Sequence, residues 1–361
     1  MNILIVKSNP FAPEGITGVI LNLYRFMDKR DLHIDVVAPG RAEKKYRDVF
    51  APNGGKIYRI DRSIFRPVRY VRQLKKRIEQ GKYDVVHIHG NSRTMALDLL
   101  AAKLAGCEVR IAHAHNTDCL YKALHYLMTP LFHSLCTHGF ACGEEAGKFL
   151  FGKHPYTVIP NGIEVQKFAY NSVKRQAVRA QLGIEDKLVI CAVGRLSPVK
   201  NHSFLLRVIK QLVEKKPDCH LLIIGDGELQ KDLAQQAQGL PVTFVGLTDR
   251  VEDYLNASDV FVLPSLFEGF PLSAMEAQAS GLTCLLADTV TQEVNVTGNC
   301  LYLPLEENDW VSAMLAIDGQ LGRSRRSFDA QEKMLQKGYD NTAASAHLKE
   351  TYGKIMEKAG E

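Results

Sequence analysis

Nowhere in the 361 residues do two cysteines stand as a C-x-x-C pair; the eight thiols are scattered singly, mostly in apolar surroundings. That spacing removes zinc-ribbon and dithiol redox readings and leaves reduced, buried thiols. No apolar run reaches the ~18 residues a membrane span requires. Met1 and Asn2 lead straight into Ile3-Leu4-Ile5-Val6 without the basic, apolar and small-residue layout of a secretion leader, so a cytoplasmic protein is expected. Charge of one sign is also scarce: 45 Lys and Arg stand against 40 Asp and Glu, a net +5, too little to mark a nucleic-acid binder. No G-x-G-x-x-G follows the first apolar run, which disfavours a dinucleotide-dependent dehydrogenase. The hydrophobic fraction of 46% and charged fraction of 24% are those of an ordinary globular chain, which excludes extensive disorder.

What is present is an alternation. Short β-branched runs at residues 3–6, 34–37, 84–88 and 109–112 are separated by amphipathic stretches such as 19–27 and 92–105. A second series starts near Leu188 with LVICAVG, CHLLIIGDG, VTFVG, DVFVLPS and TCLLAD, each followed by a helical segment. Such alternation implies βαβ units and parallel sheets. Pro160 and the Asn161-Gly162 turn interrupt the pattern between the two series. The expected fold is therefore α/β, with two Rossmann-like domains facing a cleft: residues 1–165, residues 166–335, and a closing helical segment 336–361 within a polar stretch from about Ala330 to Ala359.

The chemistry concentrates between Gly194 and Gly281. A predicted strand ends in Gly194-Arg195, and Lys200 is expected to open the helix after it. Ligands of open α/β sheets collect at the carboxyl ends of strands, so both cations belong to the site end of the domain. Arg can grip a phosphate through its planar fork, while Lys acts as a compact charge. Further on, SLFEGFPLSAMEAQASG sets Glu268 and Glu276 eight positions apart, Glu268 in a turn and Glu276 one turn into a helix. Pro271 or Leu272 starts that helix, and the N–H groups of Gly269, Phe270 and Leu272 are expected to be available to sugar hydroxyls or phosphate oxygens. A surface strand-helix turn would explain the cations alone, and an anion-favouring helix start would explain Glu276, but neither explains Glu268. Gly225-Asp226-Gly227 reads as turn chemistry near a base, and residues 246–250 as a wall beside it.

These residues, G-R-x₄-K and then E-G-F-P-x₄-E-A, resemble the retaining GT-B glycosyltransferases of glycosyltransferase family 4 (group 1), and the likeness covers nearly the whole chain. IAHAHN near the end of a first-domain strand looks most like the capsule and exopolysaccharide branch. The resemblance implies two Rossmann domains with a C-terminal helix returning to the first. It implies that Arg195 and Lys200 hold the donor diphosphate, that Glu268 meets the transferred sugar and Glu276 the ribose, and that His115 stands beside the reacting bond. No D-x-D motif stands in a strand-end loop, which fits protein cations rather than a metal, so no metal or other cofactor is expected. The implied reaction moves a hexose or N-acetylhexosamine from a UDP-linked donor to a saccharide acceptor carried on a lipid. A nucleotide-sugar epimerase and a non-catalytic partner subunit are the rival readings on the same fold.

In the first domain, Gly15 and Gly18 near the first helix start are expected to let backbone N–H groups approach a donor phosphate. His113 and His115 are expected to point to opposite faces. His87 and His89 share their H-x-H spacing, but without acidic or cysteine neighbours a zinc site is disfavoured. Between Lys56 and Lys82 lie ten Lys and Arg against Asp61 and Glu79. Arg62, Arg66, Arg69, Arg72 and Lys76 recur at helical spacing opposite Phe65, Val68, Val71, Leu74 and Ile78. That stripe suits peripheral contact with anionic lipid at the inner face of the cell membrane.

Overall fold

The computed structural model describes residues 1–12, 14–62, 66–119, 121–317 and 322–360. It divides into two compact units, Met1–Gly162 with Asn341–Glu361, and Ile163–Asp340.

The first unit holds β1 (Asn2–Lys7), β2 (His33–Ala38), β3 (Ile57–Arg59), β4 (Val85–Gly90), β5 (Val109–Ala114), β6 (His138–Ala141) and β7 (Thr157–Val158). They form one sheet in the order β3-β2-β1-β4-β5-β6-β7, parallel throughout. Helices cover both faces of such a sheet, which is why its central strands are near-continuous apolar runs. The helices are α1 (Gly15–Phe26), α2 (Lys44–Phe50), α3 (Pro67–Gly81), α4 (Ala96–Leu104), α5 (Lys122–Leu127), α6 (Thr129–Leu135) and α7 (Glu144–Phe151).

The second unit holds α8 (Ser172–Leu182), β8 (Leu188–Val193), α9 (His202–Lys215), β9 (Cys219–Ile224), α10 (Gln230–Gln236), β10 (Val242–Gly246), α11 (Val251–Ala257) and β11 (Val260–Leu263). It continues with α12 (Leu272–Ala279), β12 (Thr283–Ala287), β13 (Cys300–Leu303), α13 (Glu307–Ala316) and α14 (Arg323–Gln336). Its parallel sheet runs β10-β9-β8-β11-β12-β13. A buried charge cluster fastens this unit's helices. Asp259 takes Arg175 at 2.6 Å and Arg179 at 3.2 Å. Arg323, fully buried, donates to the backbone oxygens of Leu255, Asn256, Ser258 and Ser280.

The polar C-terminal stretch is two helices rather than one segment. Gly338, at φ +74°, closes α14 in the left-handed conformation that glycine adopts without penalty. The chain then restarts as α15 (Asn341–Gly360), which packs on α1 in the first unit.

Candidate active site

Strand order reverses once in each sheet, between β8 and β11 in the second unit and between β1 and β4 in the first. The strand ends beside such a reversal diverge and leave a crevice, so these are the places to look for a site.

In the second unit the loops at that point are laced together. Gly225, at φ +135°, lies so close to the loop after β8 that a Cβ there would stand 2.0 Å from the Gly194 oxygen. Only glycine fits. Leu196 N–H donates to Asp226 O at 3.0 Å, and Leu266 N–H to Val199 O at 2.8 Å, drawing in the loop after β11. Lys200 does not open the helix. It ends a separate single turn, Pro198–Lys200, and Asn201, at φ 55°, breaks the backbone before α9. That turn folds the Lys200 side chain back over Gly194, where an added Cβ would meet Lys200 Cε at 3.0 Å.

Lys200 Nζ lies 2.6 Å from Glu268 Oε1, with the two side chains only 19% and 15% exposed. Glu268 is itself held by a parallel bridge to Val290. Arg195, next to Gly194 in sequence, turns its guanidinium to Glu228 at 3.1 Å, and this pair is about half exposed (48% each). Glu228 directly follows Gly225-Asp226-Gly227 and was not singled out in sequence; its place in the loop after β9 is the signal that could have found it.

Glu276 sits on the second turn of α12 and faces a different neighbourhood. It is partly exposed, yet burial pushes its carboxyl up to about 7; Lys167 opposes the shift and Glu252 adds to it. Lys167 and Glu252 pair with each other at 3.4 Å. Pro271 precedes α12 as its cap, and Leu272 is its first residue. Gly269 is buried, and the Phe270 ring stacks on Tyr339 at 5.5 Å, so its side chain belongs to the packing. The four sequence candidates therefore divide: Lys200 and Glu268 touch, Arg195 turns toward Glu228, and Glu276 keeps company with Lys167 and Glu252.

In the first unit Lys7, the last residue of β1, is 2% exposed. Its ammonium binds Asn9 O at 3.1 Å, Pro10 O at 2.9 Å and Glu14 Oε1 at 2.5 Å, pinning the loop ahead of α1. Gly15 is the first residue of α1, while Gly18 lies inside it, its N–H already donating to Glu14 O at 2.9 Å. The expected phosphate contact from the Gly18 amide is thus corrected, because the helix ladder takes that donor.

Beside this loop four buried histidines fill one face of β4 and β5. His113 and His115 do not point to opposite faces: their rings stack at 4.2 Å, since residues two apart on an extended chain share a face. His89 Nδ1 meets His115 Nε2 at 2.8 Å, and His87 Nε2 meets His113 Nδ1 at 3.1 Å. At the far end His87 Nδ1 meets Tyr352 Oη of α15 at 2.5 Å and Tyr24 Oη of α1 at 3.2 Å. Burial first, then like-charge repulsion among the histidines and, at His89, from Lys7, holds His87, His89 and His113 well below their usual range. The same burial, with Lys7 adding to it, takes His115 down to about 3. All four rings are therefore neutral near pH 7. Ring nitrogens of His87, His89 and His113 lie within 4.8 Å of one another, the spacing at which a metal would be considered. The His87 and His113 planes, however, differ by only 5°, and their centroids are much farther apart (5.2 Å) than their facing nitrogens. That is the in-line geometry of an N–H···N hydrogen bond, not of lone pairs converging on an ion.

The basic helix α3 exposes Arg69, Arg72 and Lys76, with exposed Arg66 just ahead of it as its cap residue. Arg62 does not join them, since it bonds Thr94 O at 2.7 Å and pairs with Asp98 at 3.3 Å. Tyr70, Leu74 and Ile78 form the buried face; Val68 is 71% exposed and is thereby removed from the expected apolar stripe. Phe65 lies outside the described residues.

Residues 13–167 match the family described as Glycosyltransferase Family 4, and residues 187–317 the one described as Glycosyl transferases group 1. The putative glycosyltransferase EpsF of Bacillus subtilis is 34% identical over 366 residues, spanning 95% of this chain and 94% of its own length. The chain belongs to the group 1 glycosyltransferases of family 4. This glycosyltransferase is also 34% identical, over 66% of its length and 65% of the relative's, to the UDP-Gal:alpha-D-GlcNAc-diphosphoundecaprenol alpha-1,3-galactosyltransferase of Escherichia coli. Its fold is GT-B. HepE of Anabaena, solved in complex with UDP, superimposes with a TM-score of 0.79 at 18% identity over 98% of this chain and 100% of that one. No described helix of the glycosyltransferase is long and apolar enough to cross a membrane.

Proposed function

We propose that this glycosyltransferase moves a hexose or N-acetylhexosamine from a UDP-linked donor to a lipid-carried saccharide in bacterial exopolysaccharide or capsule synthesis, with retention at the anomeric carbon and without a metal. The observation that carries the reading is the Lys200–Glu268 pair at the strand reversal of the second unit. A cation and a carboxylate held together there form a lock that a nucleotide sugar opens from both sides. The diphosphate draws Lys200, with Arg195 leaving Glu228 to join it, and Glu268 turns to the sugar hydroxyls. Protein charges then offset the negative charge growing on the leaving phosphate as the glycosidic C–O bond breaks. The acceptor oxygen attacks on the same face, and its proton passes to the departing phosphate oxygen, so no protein nucleophile is required. Glu276 receives the ribose, the N–H groups of Gly269, Phe270 and Leu272 meet the donor's oxygens, Gly15 approaches its phosphate, and His115 stands at the reacting bond.

Two features support a lipid-carried acceptor. The relative from Escherichia coli is named for a diphosphoundecaprenol-linked substrate. In this chain, Tyr121, Tyr126, Leu127 and Leu131, on and beside the two short helices that follow β5, are all exposed. Exposed apolar side chains gathered in so short a segment mark an interaction surface. The free basic face of α3 would add attraction to anionic lipid at the cytoplasmic leaflet. The test is to incubate the purified protein with UDP-hexoses and a polyprenyl-diphosphate saccharide in detergent, with and without EDTA. Product with the donor's anomeric configuration, formed equally in EDTA, is expected. Inversion, an epimerised donor without transfer, or loss of activity in EDTA would overturn the respective part.

A further inference from the structure

We infer that Lys7 is a positioning residue that withholds the Glu14 carboxylate from the start of α1 and so keeps that helix start open to the donor's diphosphate. The effect on binding rests on the proposed approach of the donor phosphate to Gly15; the hold on Glu14 is a property of the unliganded first unit.

Lys7 ends β1, beside the strand reversal of the first sheet, and its side chain is enclosed. An ammonium offers three N–H donors, and three acceptors meet it here: Asn9 O at 3.1 Å, Pro10 O at 2.9 Å and Glu14 Oε1 at 2.5 Å. The Phe11 ring centroid lies 5.8 Å from the same nitrogen. Every one of these partners belongs to the loop between β1 and α1. A buried ion pair contributes little net stability and can often be replaced by apolar residues, so its place here calls for another role. Glu14 is the cap residue of α1, yet its side chain makes no cap hydrogen bond to the helix it precedes. A carboxylate at that position, left to itself, is attracted to the positive end of the helix. The N–H groups of Gly15, Ile16 and Thr17 lie ahead of the helix ladder, which begins with Gly18 N–H to Glu14 O at 2.9 Å. Gly15 is exposed. Thr17 is buried, and its hydroxyl has no hydrogen-bond partner among the described residues. Helical side chains lean toward the N-terminus, so that hydroxyl belongs to the same helix start. The first turn of α1 carries no acid of its own, which leaves Glu14 as the carboxylate that would occupy the place of an anion or repel it. Lys7 removes both effects, neutralising the charge and holding the carboxylate in a pair.

The test compares the full chain as wild type, Lys7→Met, Glu14→Gln and the double variant, at a temperature where circular dichroism shows each folded. UDP affinity, read by calorimetry, is expected to fall about 10-fold in Lys7→Met, the scale on which a helix start acts on a partly buried anion. Adding Glu14→Gln to Lys7→Met removes the stray charge and should bring UDP affinity back to within about threefold of wild type. In ¹⁵N NMR, the Gly15 and Ile16 amides of unliganded Lys7→Met should shift and gain protection from hydrogen exchange, and the double variant should largely reverse both. A double variant that binds UDP no better than Lys7→Met overturns the inference, because a merely structural loss is not repaired by deleting a second partner. Wild-type Gly15 and Ile16 amides already protected without ligand overturn it as well, and that reading is available even if Lys7→Met does not fold. Amides that gain protection in Lys7→Met while UDP affinity stays unchanged leave the hold on Glu14 standing and remove the diphosphate from α1 instead.

Discussion

The strand ends of the two sheets are built from opposite materials. In the second unit they carry ions: Lys200 paired with Glu268 and Arg195 paired with Glu228, partly or half exposed. In the first unit they carry rings that are neutral, enclosed and bonded nitrogen to nitrogen. A further contrast lies within the second unit. Arg175, Arg179 and Arg323 are also paired or hydrogen-bonded, but they are buried and bound to backbone oxygens of neighbouring elements. Charges that fasten a fold are saturated by groups that cannot leave. Lys200 with Glu268 and Arg195 with Glu228 pair side chain to side chain, an arrangement that, on the proposed function, a stronger anion would part. In the first unit the ion pair at the end of β1, Lys7 with Glu14, is enclosed and also tied to the backbone oxygens of Asn9 and Pro10, and the polar groups beside it are neutral rings.

This contrast can be broken in graded steps. The largest effect is expected for Glu268→Ala, which should lower transfer by about 10³-fold or to background while leaving UDP affinity, read by calorimetry, within a few fold. Equal loss of both would contradict its assignment to the sugar. Lys200→Ala should cost about 10²-fold in kcat/KM and also weaken UDP binding, because the diphosphate loses its most enclosed cation. Acid should then separate the units. Histidines with lowered values contribute stability that is complete above their unfolded value near 6.5 and is lost progressively as pH falls below it, since the unfolded chain binds more protons. Hydrogen exchange between pH 6.5 and 4 should therefore show the first unit opening before the second, and simultaneous opening would sink the idea.

Glu276 gives the opposite sign on a smaller scale. Its folded value is raised to about 7 from 4.5, so its contribution to stability is full below 4.5 and is lost as pH rises through 7. Glu276→Gln should raise the Tm at pH 8 by a few degrees and leave it nearly unchanged at pH 4. The same variant should flatten any rise in donor KM on going from pH 8 to pH 6. The smallest effect belongs to Glu228→Gln, which removes the carboxylate charge beside half-exposed Arg195 and should tighten UDP binding by no more than about threefold, less at high salt.

The sequence displays the βαβ alternation clearly because central parallel strands are buried on both sides and become uninterrupted apolar runs, as in residues 3–6 and 260–263. Edge and short strands do not advertise themselves this way: Ile57–Arg59, His138–Ala141, Thr157–Val158 and Cys300–Leu303 are brief or polar and went unread. Lys200 and Glu268 were recognisable from their places after strands, but the contact between them was not, because it depends on Asn201 breaking the helix start and on Gly225 admitting a neighbouring loop. Glu228 looked like any exposed glutamate. The histidine face was within reach of the two-residue period, which the spacing H-x-H on adjacent strands states outright; what no single strand could state is the diagonal pairing between β4 and β5, set by register.

Helix α15 has a consequence for how the molecule is made. It supplies Tyr352, whose hydroxyl reaches both His87 and Tyr24 in the interior of the first unit. Yet the ribosome delivers it only after the whole of Ile163–Asp340. At roughly 5–20 residues per second, the earlier-made strands wait about ten seconds or more with that wall of their interior uncovered. The nascent first unit is thus a natural client for a chaperone until its final helix arrives, whereas the second unit can close as soon as it emerges.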